Sequence, residues 1–282
     1  EQFDKALYCF EQVRKLDDSD ESIHGRLADA HWAKGDLEQA YRSFIRQLRR
    51  QPGDIDSLID LGNLLIEMNR PLEAAEKFRR VIELEPTNAE AHHFLGELAM
   101  RAHHDAAAIG ALERALKLND KLPGVRTKLA AILLNTGNVG QAKKLLVAEI
   151  ALDDQAIDDH YRDELGQLLL DAGMLAEAEA VYHALAKRLN GDARLLNQLA
   201  VTQLRRGRLE AGIQTLRRAV RLDRQYAIGL FNLAKAYADA GDLHRAAAVA
   251  RRGVNADPSD ARLSKLMRSL QRRRFLRRWL GR

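Results

Sequence analysis

Leu58, Leu61 and Leu65 stand at i, i+3 and i+7 and so share one face of a helix, with Gly62 set inside that face. A polar turn follows at Asn69-Arg70-Pro71, and Ala74, Phe78 and Val81 then mark the apolar face of a second helix. Proline suits the first turn of that second helix, where its missing amide donor costs nothing. Pro86 closes the pair, because proline clashes with a preceding helical turn. A glycine inside a helix is unfavourable by about 1 kcal/mol against alanine, so Gly62 predicts close approach of the second helix. The pattern recurs along the chain. Ala40, Ala74, Ala108 and Ala142 are separated by steps of 34 residues; after one step of 36 the series resumes at Ala178, passes Gly212 and reaches Ala246. A fixed period of this length predicts a stack of helix–turn–helix units.

The register divides the chain into seven complete repeats, 21–54, 55–88, 89–122, 123–156, 159–192, 193–226 and 227–260, with a two-residue insertion at 157–158. The small residue of the first helix is Ala28, Gly62, Gly96, Ala130, Gly166, Ala200 and Ala234 in turn. The large residue of the second helix is Phe44, Phe78, Leu112, Leu146, Tyr182 and Leu216, falling to Ala250 in the last repeat. The closing proline is kept at Pro52, Pro86 and Pro258 and replaced by Asp120, Asp154, Asn190 and Arg224 elsewhere. This pattern resembles the tetratricopeptide repeat over about residues 1–260. The resemblance implies an all-α fold, a right-handed superhelical solenoid of antiparallel helix pairs. Residues 1–20 are read as the second helix of a truncated repeat, with Phe3, Ala6, Leu7, Phe10 and Val13 on its apolar face. That face is expected to be covered in a longer natural chain or by a second copy of this one. Residues 261–282 are read as a capping helix with a basic amphipathic tail.

Charge changes this picture locally. The net charge of +5 hides nine Lys/Arg and no acid in residues 261–282, which leaves the remainder at −4. Repeat 55–88 carries −3 and repeat 159–192 carries −4, whereas repeat 193–226 carries +6 from eight arginines against Glu210 and Asp223. Aromatics are only 5% of the chain, so the stacking platforms that single-stranded nucleic acid needs are scarce, and nucleic acid is not an expected partner. No apolar run approaches the roughly 18 residues needed to cross a bilayer. Cys9 is the one cysteine, which leaves no disulfide framework and no cysteine metal cluster. His92-His93 and His103-His104 are pairs of adjacent residues, whose side chains point about 100° apart on a helix, and no H-E-x-x-H spacing accompanies them. His92 holds a large-residue slot and is expected in the packed core. There is no phosphate loop, nucleophile elbow or cysteine–histidine arrangement. The chain is therefore read as non-enzymatic, with no catalytic residue, no cofactor and no metal. The compartment stays open between bacterial cytoplasm and periplasm, with or without a membrane nearby.

In the architecture that the resemblance implies, first helices line a concave groove. Positions 2, 5, 9 and 12 of each repeat follow a 3,4,3 spacing and so share one face. They give a predicted partner-binding surface of Asp29, Trp32, Asp56, Asn63, Glu90, His93 and Glu97 in the first repeats, and of Arg194, Asn197 and Lys235 further on, with Arg205 adjacent. The first part is acidic and the last part basic, which suits an extended or helical peptide of asymmetric charge in a protein partner. Two functional subtypes of the family are excluded. The lysine and asparagine clamp for a terminal carboxylate fails at Ile59 and Phe94, and the asparagine ladder at position 6 is replaced by Arg26, Asp60, Phe94, Lys128, Glu164 and Gln198 before Asn232.

The last segment breaks its own stripe. Leu263, Leu266, Met267 and Leu270 form one face, whereas Phe275, Leu276, Trp279 and Leu280 centre nearly opposite it. Three arrangements follow: a break near Gln271 that folds the tail back; a helix that offers Phe275 and Trp279 to a protein partner or a second copy; or a helix lying on an anionic membrane surface through Arg273, Arg274, Arg277 and Arg278. The leading functional expectation is a non-enzymatic scaffold or adaptor that binds a peptide or protein in its groove. The alternatives are a membrane-proximal assembly factor of bacterial envelope or polysaccharide export that docks through the tail, and a regulatory arm of a larger enzyme.

Overall fold

The computed structural model describes residues 2–16, 22–152 and 158–279, with side chains from Phe3 to Arg273 within those spans. Of the insertion read at 157–158, Ile157 lies outside the described residues and Asp158 within them. Among the described residues all regular structure is α-helical, and the chain forms two compact units, 1–136 and 137–282. The N-terminal unit holds α1 (Gln2–Leu16), α2 (Ile23–Lys34), α3 (Leu37–Arg50), α4 (Ile55–Glu67), α5 (Pro71–Leu84), α6 (Ala89–Arg101), α7 (Asp105–Leu118) and α8 (Val125–Asn135). The C-terminal unit holds α9 (Val139–Ile150), α10 (Asp159–Asp171), α11 (Leu175–Arg188), α12 (Ala193–Arg205), α13 (Leu209–Leu222), α14 (Ala227–Asp239), α15 (Leu243–Ala256) and α16 (Ala261–Trp279). Within each unit every helix packs on the next in sequence.

Caps and turns repeat with the sequence. The residue before several first helices turns its side chain back onto the helix: Asp54 accepts from Ser57 N, Asn88 from Ala91 N, Asp158 from Tyr161 N and Asp192 from Leu195 N. Such caps satisfy amides that have no partner inside the helix. Between the two helices of all seven repeats, position 15 takes a positive φ: Gly35, Asn69, His103, Gly137, Gly173, Gly207 and Gly241. Glycine adopts this conformation without strain and asparagine tolerates it, but His103, at φ 57°, carries the full Cβ penalty.

The helices of a pair meet at the small residue of the first one. A Cβ added to Gly62 would lie 2.5 Å from Phe78 Cζ, one on Gly96 2.7 Å from Leu112 Cγ, and one on Gly166 2.8 Å from Tyr182 Cζ. Phe78, Leu112 and Tyr182 are fully buried. Polar groups join successive pairs as well. Buried Gln47 on α3 accepts from the Gly25 amide of α2 at 3.1 Å and donates to the α4 cap Asp54 at 3.1 Å, so one side chain ties three helices together.

Each unit has its own core, the first built around Phe44, Leu61, Leu65 and Phe78 and the second around Leu216, Leu230, Leu233 and Ala250. In α1 the Leu7 and Phe10 side chains are half-buried, but Phe3 is 46% and Val13 42% exposed, so the expected apolar face is only partly covered. At the other end α16 runs unbroken from Ala261 to Trp279, which overturns the break and fold-back near Gln271. Its first stripe is buried as the pattern requires: Leu263 and Leu270 are inaccessible, and Leu266 and Met267 pack on the same core. Leu263 reaches α15 at Gly253, where an added Cβ would stand 2.6 Å from a Leu263 methyl.

Three substitutions test this account by chemical denaturation. Gly62→Ala is expected to destabilise the protein by about 1–3 kcal/mol, because overpacking against Phe78 outweighs the gain in helix propensity. Gly110→Ala, in α7 with no atom within 4 Å of the added Cβ, is expected to stabilise by up to about 1 kcal/mol. His103→Gly is expected to stabilise by about 1 kcal/mol through relief of its left-handed backbone. A destabilised Gly110→Ala or an unaffected Gly62→Ala would contradict the close-contact account.

Candidate partner-binding surface

First helices α2, α4 and α6 present their acids in a strip along the N-terminal unit. Asp29 is exposed on α2, Asp56 stands in the first turn of α4 with Asp60 one turn later, and Glu90 stands in the first turn of α6. Among the described residues none of these four forms an ion pair, and they act on one another. Desolvation, followed by the charges of Asp29, Asp56 and Glu90, pushes the Asp60 carboxyl up to about 6. Glu90 is raised by desolvation and then by Asp56, and Asp29 by desolvation. Half-buried Asn63 continues the same face of α4. Asp60 lies at position 6 rather than at one of the four positions used to read the groove, and it was missed as a site residue for that reason. Its signal was present, since Asp56 and Asp60 are four residues apart and neighbours on one helix surface.

The rest of the predicted acidic face is already engaged. Glu97 meets Arg101 at 2.8 Å, its own helix neighbour at i+4, and Lys128 of α8 at 3.8 Å, so it is not a free anion. His93 is largely buried, stacked on Phe94, which in turn stacks on Phe78. Burial, reinforced by Lys128 and opposed by Glu97, lowers its imidazole to about 4, so His93 is neutral at physiological pH. His92 is the less buried of the pair, with Nε2 3.3 Å from the Pro86 carbonyl oxygen, which corrects its expected place in the core. Trp32 donates its indole N–H to Glu67 at 2.6 Å and packs edge-on against Phe44.

In the C-terminal unit the predicted basic face is a set of polar rungs between successive first helices. Arg194 on α12 is paired with Asp163 on α10, so its charge is compensated within the groove. Asn197 is buried and accepts from Asn232 of α14 at 2.8 Å. Gln198 donates to Gln167 at 3.1 Å. Arg205 and Lys235 remain exposed. Lys235 and Arg273 line one cavity of about 410 Å³ between α14 and α16, together with Phe231, Asp239 and Arg262. The structure thus joins one predicted groove residue to one predicted tail residue. Side chains of Arg274, Phe275, Arg277, Arg278 and Trp279 lie outside the described residues. Among the described residues no cluster of His, Cys, Asp or Glu is arranged to hold a metal ion, and no helix is long and apolar enough to cross a membrane.

Comparison with known proteins agrees with this architecture. The tetratricopeptide repeat family matches residues 23–56, 59–125, 164–227 and 197–261, together more than half of the chain. Protein O-mannosyl-transferase TMTC3 of Homo sapiens is 28% identical over 162 residues, which are 56% of this chain and 17% of that protein. Cellulose synthase 2 operon protein C of Komagataeibacter xylinus is 33% identical over 117 residues, 41% of this chain and 9% of that protein. The chain spans between 9 and 21% of the curated relatives it matches. Among solved structures, the C-terminal part of a tetratricopeptide repeat-containing protein from Cytophaga hutchinsonii superposes with a TM-score of 0.65 at 13% identity, covering 86% of this chain and 98% of that one. YrrB, described as a tetratricopeptide repeat protein with an unusual peptide-binding site, gives 0.58 at 15% identity, covering 68% of this chain and 97% of that one. At these identities the likeness concerns the fold alone. From its seven-fold register, its helix pairs and these matches, the chain belongs to the tetratricopeptide repeat family.

Proposed function

We propose that the chain is a non-catalytic scaffold whose N-terminal unit holds a basic segment of a protein partner along the strip Asp29, Asp56, Asp60 and Glu90. Proteins of this family generally mediate protein–protein interactions. The observation that carries the finer reading is the absence, among the described residues, of any ion pair to these four acids, while Asp60 is raised by desolvation and then by Asp29, Asp56 and Glu90, and Glu90 by desolvation and then by Asp56. Elsewhere on the same faces acids are neutralised within the fold, Glu97 by Arg101 and Lys128, Asp163 by Arg194. A lysine- or arginine-rich segment would supply the missing charge and relieve the repulsion.

A second reading, assembly in bacterial envelope or polysaccharide export, is favoured by the similarity to cellulose synthase operon proteins C of Komagataeibacter xylinus and Pseudomonas fluorescens. There the arginine-rich tail would dock to an anionic membrane. Co-sedimentation with phosphatidylglycerol vesicles separates the two readings. Binding that is unchanged after removal of residues 271–282 eliminates tail docking.

Fluorescence anisotropy with a labelled Lys/Arg-rich peptide tests the leading reading. Asp56→Asn combined with Glu90→Gln is expected to weaken binding by about tenfold or more, with the loss growing at low salt. Glu97→Gln should change it less than about twofold, since that charge is already paired. Equal effects of both variants would reject the strip as the site.

Acidification tests the strip independently. The folded-state pKa of Asp60, about 6, lies above the ordinary aspartate value of about 3.9. The folded chain therefore binds more protons between those values, and the contribution of Asp60 becomes less favourable as pH rises from about 4 to about 6. Asp60→Asn is expected to raise the thermal midpoint at pH 7.5, with a gain of on the order of 1 kcal/mol once solvent screening of this half-buried carboxyl is allowed for, and to give no gain at pH 4. His93 has the opposite slope, its lowered pKa withdrawing stability as pH falls from 6.5 towards about 4. The quantity to measure is accordingly the difference between variant and parent at each pH, in which His93 cancels.

A further inference from the structure

A second surface of opposite sign lies in the C-terminal unit, on a different side of its helices. Between α13, α14 and α15 is a cavity of about 560 Å³ ringed by Arg217, Arg221, Arg224 and Arg252. Its floor is aliphatic, with Val220, Leu233 and Val249. None of the groove positions of α14 contributes to it; Leu233 stands two residues, about 200° of helix rotation, from the groove residue Phe231. Arg217 and Arg221 are one turn apart on α13, and Arg224 continues the row just past the end of that helix. The row is thus about 10 Å long.

The four guanidinium groups are exposed, and among the described residues none meets a carboxylate. Other arginines of the same stretch are compensated. Arg206 and Arg208 share Glu179, Arg194 is paired with Asp163, and Arg262 grips Asp260. Arg217, Arg221, Arg224 and Arg252 thus gather four unpaired charges around one cavity.

A neighbouring cavity of about 410 Å³ repeats the arrangement one period earlier, between α11, α12 and α13. Its His183, Lys187, Asn190, Leu199 and Arg218 stand 34 residues before Arg217, Arg221, Arg224, Leu233 and Arg252 of the larger one. Two adjoining sites of the same design, sharing α13, form a track rather than a single pocket. Arginine forks suit carboxylates, which they hold in a bidentate manner. The aliphatic floors suit apolar side chains set between those carboxylates. Nucleic acid fits less well, because Tyr237 is the one Phe, Trp or Tyr lining either cavity, and single strands need successive aromatic faces on which to stack.

We propose that these two cavities form a docking track for an acidic protein segment in which Asp or Glu alternates with aliphatic residues. The track is independent of the acidic strip of the N-terminal unit and selects the opposite charge.

The test uses the full chain and a labelled peptide of alternating Glu and Leu, read by fluorescence anisotropy. Arg221→Gln with Arg252→Gln is expected to weaken binding by about tenfold or more. Arg114→Gln with Arg251→Gln, which removes the same charge from exposed positions outside both cavities, should change it less than about twofold. Binding of a Lys/Arg-rich peptide should be unchanged by either pair, which separates this track from the acidic strip. A Glu–Ser peptide should bind more weakly than Glu–Leu, because the floors are apolar. Hydrogen exchange on the unaltered chain should show peptide-dependent protection in α13 and α15, a readout that does not depend on the variants. Equal loss in the two arginine pairs, no loss in the first pair, protection confined to other helices, or tighter binding of a polyuridylate than of the Glu–Leu peptide would each overturn the proposal.

Discussion

The Phe78 ring stands where a Cβ on Gly62 would lie, and the rest of the repeat is organised by that contact. It brings the backbone of a first helix against a large side chain of the second, so the distance between the pair is set by a hydrogen atom rather than a methyl group. Gly96 against Leu112 and Gly166 against Tyr182 repeat the solution with different large residues. Once the pair is fixed at that spacing, the apolar side of each first helix is committed to its partner and its neighbours. The surface left over is a narrow polar face, on which Asp56, Asp60 and Asn63 stand together. The left-handed residue at position 15 does the complementary work: it recurs in the turn after every first helix, even where the chain supplies His103 instead of glycine.

These features were legible in the sequence because each acts locally and recurs. Small residue, large residue, cap and turn all fall within one period, so seven copies reinforce a single reading. The end of the chain was harder to read for a physical reason. The switch of apolar stripe after Leu270 was taken to allow a break, but a stripe reports which face is buried and not whether a helix persists. Residues 271–279 carry five arginines, one glutamine and one leucine, all good helix formers, and no glycine or proline, so α16 continues whatever its second face meets. His92 illustrates the reverse case. Its slot predicted burial, but its ring reaches out to the Pro86 carbonyl while His93, one residue on, goes inward.

The candidate site was legible as a face and not as a set of free charges. Helical spacing placed Asp29, Asp56, Glu90, Arg194 and Asn197 on first helices correctly, because that requires only the period. It gave no account of compensation, because the compensating group usually sits in another repeat. Asp163 is 31 residues from Arg194, and Lys128 is likewise one repeat beyond Glu97. A reading made repeat by repeat counts Arg194 and Glu97 as available when the fold has already paired them. The same blindness hid part of the setting of Asp60, whose carboxyl is raised by desolvation and then by Asp29 of α2, Asp56 of its own helix and Glu90 of α6.

Pairing within the fold is what gives the remaining charges meaning. A tetratricopeptide array is built of near-identical contacts, and its stability comes from apolar burial and from the helix-pair geometry, neither of which needs a surface ion. Charges on its faces are then free to be neutral, paired or exposed with little effect on the architecture. Where like charges are gathered without partners they act against stability, as the raised carboxyl of Asp60 records. Architecture therefore gives no reason for the acidic strip across α2, α4 and α6, nor for the basic cavities along α11, α13 and α15. On the proposed reading, a segment of opposite charge would relieve the repulsion at each of these surfaces, as dissolved salt does more weakly.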